Sequence, residues 1–158
     1  MSGDQPDQRL YFEDLPVGRR MTTGSLVVDA AAIKDFAARF DPQPFHLDEA
    51  AAEKTFFGGL VASGWHTAAL TMRLLVTGGL PIAGGVIGAG GEVEWPRPTY
   101  PGDELTVTCE VIDAKLSRTR PERGMVTVRS ETRNQKGEVV QVMTARLVVP
   151  RRPPEGIT

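Results

Sequence analysis

Apolar positions recur at helical spacing through the first half of the chain and alternate strictly with polar ones through the second. Residues 21–28 read as a short strand. Asp29 then stands at an N-cap position before Ile33, Phe36, Ala37 and Phe40, an i, i+3, i+4, i+7 stripe that predicts an amphipathic helix stopped by Pro42 and Pro44. A second, short helix is expected from Asp48 through Glu53. Over residues 64–76 the side chains of Trp65, Ala68, Ala69, Leu70, Met72, Leu74 and Leu75 cover nearly every face, and Arg73 is the sole charge. That is the pattern of a helix surrounded by protein. Gly78 and Gly79 end it, and a Gly-rich connection containing Pro81 runs on to Gly91.

Beyond that point the period changes to two. Leu105, Val107, Cys109 and Val111 alternate with Thr106, Thr108 and Glu110; Val126 and Val128 alternate with Thr127 and Arg129. Met143, Ala145, Leu147 and Val149 continue the pattern, and Asn134-Gln-Lys-Gly137 joins the last two strands as a hairpin. Strands joined by short turns make an antiparallel sheet with one face to cover, and the apolar helix is its cover. The expected architecture is α+β, a curved antiparallel sheet wrapped around one buried central helix.

A chain of 158 residues accommodates one domain. Residues 11–150 are assigned to it, with a flexible arm over 1–10 and a proline-rich tail over 151–158. Cys109 is the single cysteine, which excludes an intrachain disulfide and points to a reducing compartment. No apolar leader precedes the domain, and seven glycines with Pro81 interrupt the uncharged stretch after Arg73, so a cytoplasmic protein without membrane segments is expected. Net charge is −2, which offers no overall basic footprint for nucleic acid. From Lys115 onward, however, ten Lys or Arg face four Glu. Most of these arginines suit exposed strand faces kept from edge pairing. Those at Arg118, Arg120 and Arg123 lie between two strands, where they form either a solvated turn or a contact for nucleotide phosphates.

Three motifs lack the context their chemistry needs. The glycines from Gly84 to Gly91 have neither dinucleotide nor P-loop spacing and precede a strand. Ser63 is outside a G-x-S-x-G elbow and reads as a helix cap. Asp41, His46, Asp48 and His66 match no common metal-ligand spacing, so no metal is expected.

The chemistry-bearing stretch is Asp41-Pro-Gln43-Pro-Phe-His46-Leu-Asp48. An acid and a histidine lie five residues apart on a segment stiffened by two prolines. A carboxylate and an imidazole sharing one water form a general acid–base pair near neutral pH. The same stretch resembles the D-x-N-P-x-H-x-D motif of MaoC-like, (R)-specific enoyl-CoA hydratases. Val61-Ala-Ser63-Gly64-Trp65 is similar to that family's V-A-H-G-M, and Pro98-Thr-Tyr-Pro-Gly102-Asp103 to its P-V-x-x-G-D turn.

The resemblance implies a hotdog fold and a homodimer, or a dimer of dimers, with joined sheets and acyl-thioester sites near the interface. It implies Asp41 and His46 as the catalytic pair, hydrating a trans-2-enoyl thioester of coenzyme A or an acyl carrier at the β-carbon and returning a proton at the α-carbon. The Gly64 N–H would hold the thioester oxygen, since a helix amino terminus offers free donors to a developing enolate, and glycine would let the substrate approach the backbone. Gln43, Ser63, Trp65 and His66 are assigned to substrate binding, Trp65 as core or pocket wall and His66 as a residue hydrogen-bonded within the first helical turn. Gln43 replaces the family's Asn and Ser63 its His. Coenzyme A enters only as part of the substrate, and no separate cofactor is implied. Two other functions share the fold: a thioesterase, which needs an acid that residues 64–76 lack, and a non-catalytic acyl-thioester-binding or subunit-pairing module.

Overall fold

In the computed structural model, residues 8–155 are described. The notional arm and tail fall partly outside that range, but their inner ends are docked. The Leu10 N–H donates to the Pro81 carbonyl at 2.8 Å, and Leu10 pairs with Ile82 as a parallel bridge. Arg151 and Arg152 reach Glu13 and Asp14 beside a 3₁₀ turn, Phe12–Asp14. Leu10, Arg151 and Arg152 therefore contact the body of the domain.

Five antiparallel strands form one curved sheet: β1 (Arg20–Val27), β2 (Gly88–Glu94), β3 (Glu104–Leu116), β4 (Arg123–Arg133) and β5 (Val139–Pro150), in the spatial order β1-β3-β4-β5-β2. Four helices precede the second strand: α1 (Ala30–Phe40), α2 (Pro44–Leu47), α3 (Glu49–Glu53) and α4 (Gly64–Leu74). This is the hotdog arrangement, with α4 as the central helix. The strands run longer than the alternation alone marks, because register shifts after Val111 and Thr132 break the period while the ladder continues. The 134–137 hairpin forms as expected, with Gly137 at φ 76° and the Asn134 N–H donating to the Glu138 carbonyl.

The glycine-rich segment is a strand for its last part. β2 starts at Gly88 and pairs with β5 along its length, as an edge. Gly91 belongs there because a Cβ would run into the Thr144 carbonyl.

The central helix also departs from the all-apolar reading. Its sheet-facing side carries Thr67 and Thr71, both buried. Thr67 Oγ1 donates to Thr99 Oγ1 at 3.3 Å, and Thr71 Oγ1 shares a 2.7 Å hydrogen bond with Thr132 Oγ1 on β4. A different stripe, Trp65, Ala69, Met72 and Val76, faces outward, with Trp65 61% exposed. The helix continues as a π turn, Leu75–Gly79, before the chain leaves it. The apolar core lies between α4 and the sheet, built from Leu105, Val107, Val126, Val128, Leu147 and Val149 against Leu74, Leu75 and Ile33.

Candidate active site

The acid and the histidine are brought together by helix endings written in the sequence. Asp41 is the C-cap of α1, its N–H donating to the Ala37 carbonyl at 2.9 Å, and Pro42 cannot extend the helix. Pro44 then opens α2 at a position where its missing N–H costs nothing. One helical turn later, His46 Nε2 lies 3.3 Å from Asp41 Oδ2. The other ring nitrogen, Nδ1, donates to the Val61 carbonyl at 2.6 Å. A carbonyl only accepts, so Nδ1 carries a proton and Nε2 is the nitrogen presented to the carboxylate.

Asp41 has further partners. Gln43 Nε2 donates to its Oδ1 at 2.6 Å, and the Ser63 hydroxyl hydrogen-bonds the same carboxyl. Burial pushes the Asp41 pKa up, but the hydrogen bonds from Ser63 and Gln43 and the charge of His46 outweigh it. The net effect holds Asp41 below the usual carboxylate range, as an anion. Gln43 thus delivers its amide to the acid despite being one methylene longer than Asn.

The amino end of α4 supplies the third element. Ser63 caps it as expected, its Oγ accepting from the Trp65 N–H at 3.2 Å. The N–H groups of His66 and Thr67 both donate to the Ser63 carbonyl. Of the first four N–H groups of the helix, only that of Gly64 has no acceptor among the described residues. It is a donor at the positive end of a helix dipole, beside the Asp41–His46 pair.

These groups border an open cavity of about 400 Å³. Asp41, Gln43, His46 and Gly64 form its polar side, and Phe45, Phe57, Val61, Trp65 and Trp95 its apolar walls. Trp65 is therefore wall and not core. On the side of Gly64 where a side chain would stand, the space is occupied. Trp95 fills it, and a Cβ on residue 64 would lie 2.7 Å from the Trp95 ring carbon Cε2.

His66 does not line the cavity. Its ring is buried and stacks on Phe36, centroids 4.8 Å apart and planes 8° from parallel. Its Nδ1 has no partner among the described residues, so the expected hydrogen bond within the first turn is not made by that atom. Burial first, and the nearby charge of His46 second, lower its pKa and keep the ring neutral. Arg118, Arg120 and Arg123 sit at the opposite end of the β3–β4 hairpin from the cavity, and Arg123 pairs with Glu122. The pairing of Leu116 with Gly124 lies ten residues along β3 from that of Thr106 with Arg133, roughly 30 Å at the usual strand rise. Among the described residues, no three His, Cys, Asp or Glu side chains converge as a metal site.

Sequence reasoning missed Trp95, Phe45, Phe57, Arg97 and Thr99, all of which line the cavity. Phe45 lay inside the quoted motif, and Trp95 and Arg97 directly precede the 98–103 turn. That turn is built by Asp103, whose Oδ2 accepts from the Tyr100 N–H at 2.8 Å, with Gly102 at φ 87°.

Comparison with known proteins agrees with this fold. A family model described as a MaoC like domain matches residues 12–134. Two curated relatives are similar. The uncharacterized protein YdeM of Bacillus subtilis is 39% identical over 130 residues, 80% of this chain and 89% of that one. A 3-hydroxybutyryl-CoA dehydratase of Methylorubrum extorquens is 35% identical over 116 residues, 70% of this chain and 69% of that one. Among solved structures, a MaoC-like dehydratase from Rhodospirillum rubrum is 61% identical with a TM-score of 0.89, covering 92% of this chain and 99% of that one. An (R)-hydratase from Pseudomonas aeruginosa is 29% identical with a TM-score of 0.72, covering 95% and 97%. The fold and the extent of the match agree, and the chain belongs to the MaoC-like dehydratase family.

Proposed function

We propose that this protein hydrates trans-2-enoyl thioesters to (R)-3-hydroxyacyl thioesters, and dehydrates them in reverse. One observation carries the reading: a carboxylate and an imidazole nitrogen 3.3 Å apart, on a cavity that also presents a helix-terminal N–H without an acceptor among the described residues. The names of the similar dehydratase and (R)-hydratase support it.

A water held between Asp41 Oδ2 and His46 Nε2 loses a proton to the pair as its oxygen bonds to the β-carbon. The C=C electrons move toward the carbonyl, and the Gly64 N–H meets the charge developing on the thioester oxygen. The pair then gives a proton to the α-carbon. One water has added across the double bond and the pair returns to its starting state. Gln43 and Ser63 keep Asp41 ionised and oriented. The acyl group is carried by coenzyme A or an acyl carrier, and the reaction runs in the cytoplasm.

The working unit is proposed to be a homodimer. The outward stripe of α4 meets the end of the edge strand β2 where Trp65 and Trp95 touch edge to face, centroids 5.2 Å apart. An apolar stripe beside an unpaired edge is the surface a second copy would cover.

The test is loss of conjugated-thioester absorbance with crotonyl-CoA and longer or branched enoyl-CoAs. Asp41→Asn should cut kcat by about 10²–10⁴ while leaving circular dichroism and assembly unchanged. Full activity in that variant would remove Asp41 from the chemistry. Release of free thiol faster than hydration would favour a thioesterase instead.

A further inference from the structure

The polar layer beneath α4 includes one amide with an unmet need. Gln141 lies on β5 across from Thr132 and is fully buried. Its Oε1 accepts a hydrogen bond from Trp95 Nε1 at 2.9 Å. An indole N–H only donates, so the amide oxygen must face it, and the NH₂ is left without a partner among the described residues. A buried unpaired N–H is unfavourable, and Leu or Met would pack at the same place without it. The amide is explained by what it holds.

Trp95 follows the last residue of β2 and stands before Pro96, in a loop. Its ring lies against the Gly64 Cα, is braced on another side by Trp65, and lines the cavity. The hydrogen bond to Gln141 is what fixes the ring about its side-chain torsions from the sheet side. Gln141 itself lines no part of the cavity.

We propose that Gln141 is a positioning residue for the thioester seat. By anchoring Trp95 it holds the indole over Gly64, and so fixes the wall against which a thioester must lie for its oxygen to meet the Gly64 N–H. This rests on the hydratase reading, and it deepens that reading with a residue acting entirely through another. Misplacing the seat lowers the chemical step more than binding, because it disturbs the alignment of the reacting atoms and not the area of the cavity walls.

The experiment is a double-mutant cycle with Gln141→Leu and Trp95→Phe, read as kcat and KM for crotonyl-CoA alongside thermal unfolding. Gln141→Leu should lower kcat about tenfold with KM changed less than threefold, while the melting temperature stays the same or rises. In the Trp95→Phe background the same substitution should change kcat less than twofold, because the group it positions is gone. Equal losses in both backgrounds, or a kcat loss that tracks a fall in melting temperature, would overturn the proposal.

A second arm does not need turnover. In a Trp65→Phe background the emission reports Trp95 alone, and saturating butyryl-CoA, which has no double bond to hydrate, should quench it. Gln141→Leu should raise acrylamide access to Trp95 and halve the butyryl-CoA quench or more. Wild-type protein that binds butyryl-CoA but turns over no enoyl thioester would sink the hydratase reading while this arm still judges the anchor. An unchanged quench in Gln141→Leu would sink the anchor alone.

Discussion

The Ser63 hydroxyl accepts from the Trp65 N–H and donates to the Asp41 carboxyl, so one small side chain caps the central helix and keeps the acid ionised. Ser63→Ala removes both roles. Stability should fall by about 1 kcal/mol in thermal unfolding, and the Asp41 pKa should rise, moving the acid limb of the pH–rate profile to higher pH. His66 gives a second prediction at this scale. Burial and the His46 charge lower its folded pKa below the ordinary value. Between the two values the unfolded chain binds more protons, so stability is present at neutral pH and is lost as pH falls below about 6.5. His66→Phe, which keeps a ring against Phe36, should flatten that loss in denaturant titrations run between pH 7 and 5. An unchanged slope would assign it to other groups.

At the scale of elements, α4 is fastened to the sheet by threonine pairs as well as by apolar contact. Thr71→Val leaves the Thr132 hydroxyl buried without its partner, a cost of about 1–3 kcal/mol. Replacing both by Val removes the need together with the bond, and most of the loss should be recovered. Equal destabilisation by the single and double variants, measured by urea unfolding, would show that the hydrogen bond is not what matters there. These pairs also explain why periodicity misjudged the helix. Thr at a buried helix–sheet contact reads as polar in the sequence, while Trp65, Ala69 and Met72 read as part of a surrounded helix and face outward. Burial in a helix depends on what the rest of the molecule brings to each face, and spacing alone carries no such information.

For the whole molecule, the exposed α4 stripe and the β2 edge are the surfaces on which the proposed dimer depends. Met72→Glu with Val76→Glu places charge on that stripe, away from the residues lining the cavity. Sedimentation should show the wild-type protein at twice the chain mass and the double variant at the chain mass. A wild-type monomer with full hydratase activity would remove the dimer from the mechanism.

Asp29, Pro42, Pro44, Asp48 and Ser63 determined where helices start and stop by local chemistry, through side-chain oxygens at N-caps and prolines that cannot continue a helix. Because Asp41 and His46 are only five residues apart across two such endings, their encounter was legible in the sequence. So were the strands of the second half, whose alternation states which face is covered. What lies far apart in the chain was decided by the tertiary structure. Trp95 and Gly64 are 31 residues apart, Trp95 and Gln141 are 46 apart, and Thr71 and Thr132 are 61 apart. No spacing rule reaches across those distances. Only the pairing of β2 with β5, at one edge of the sheet, sets the indole above the helix end.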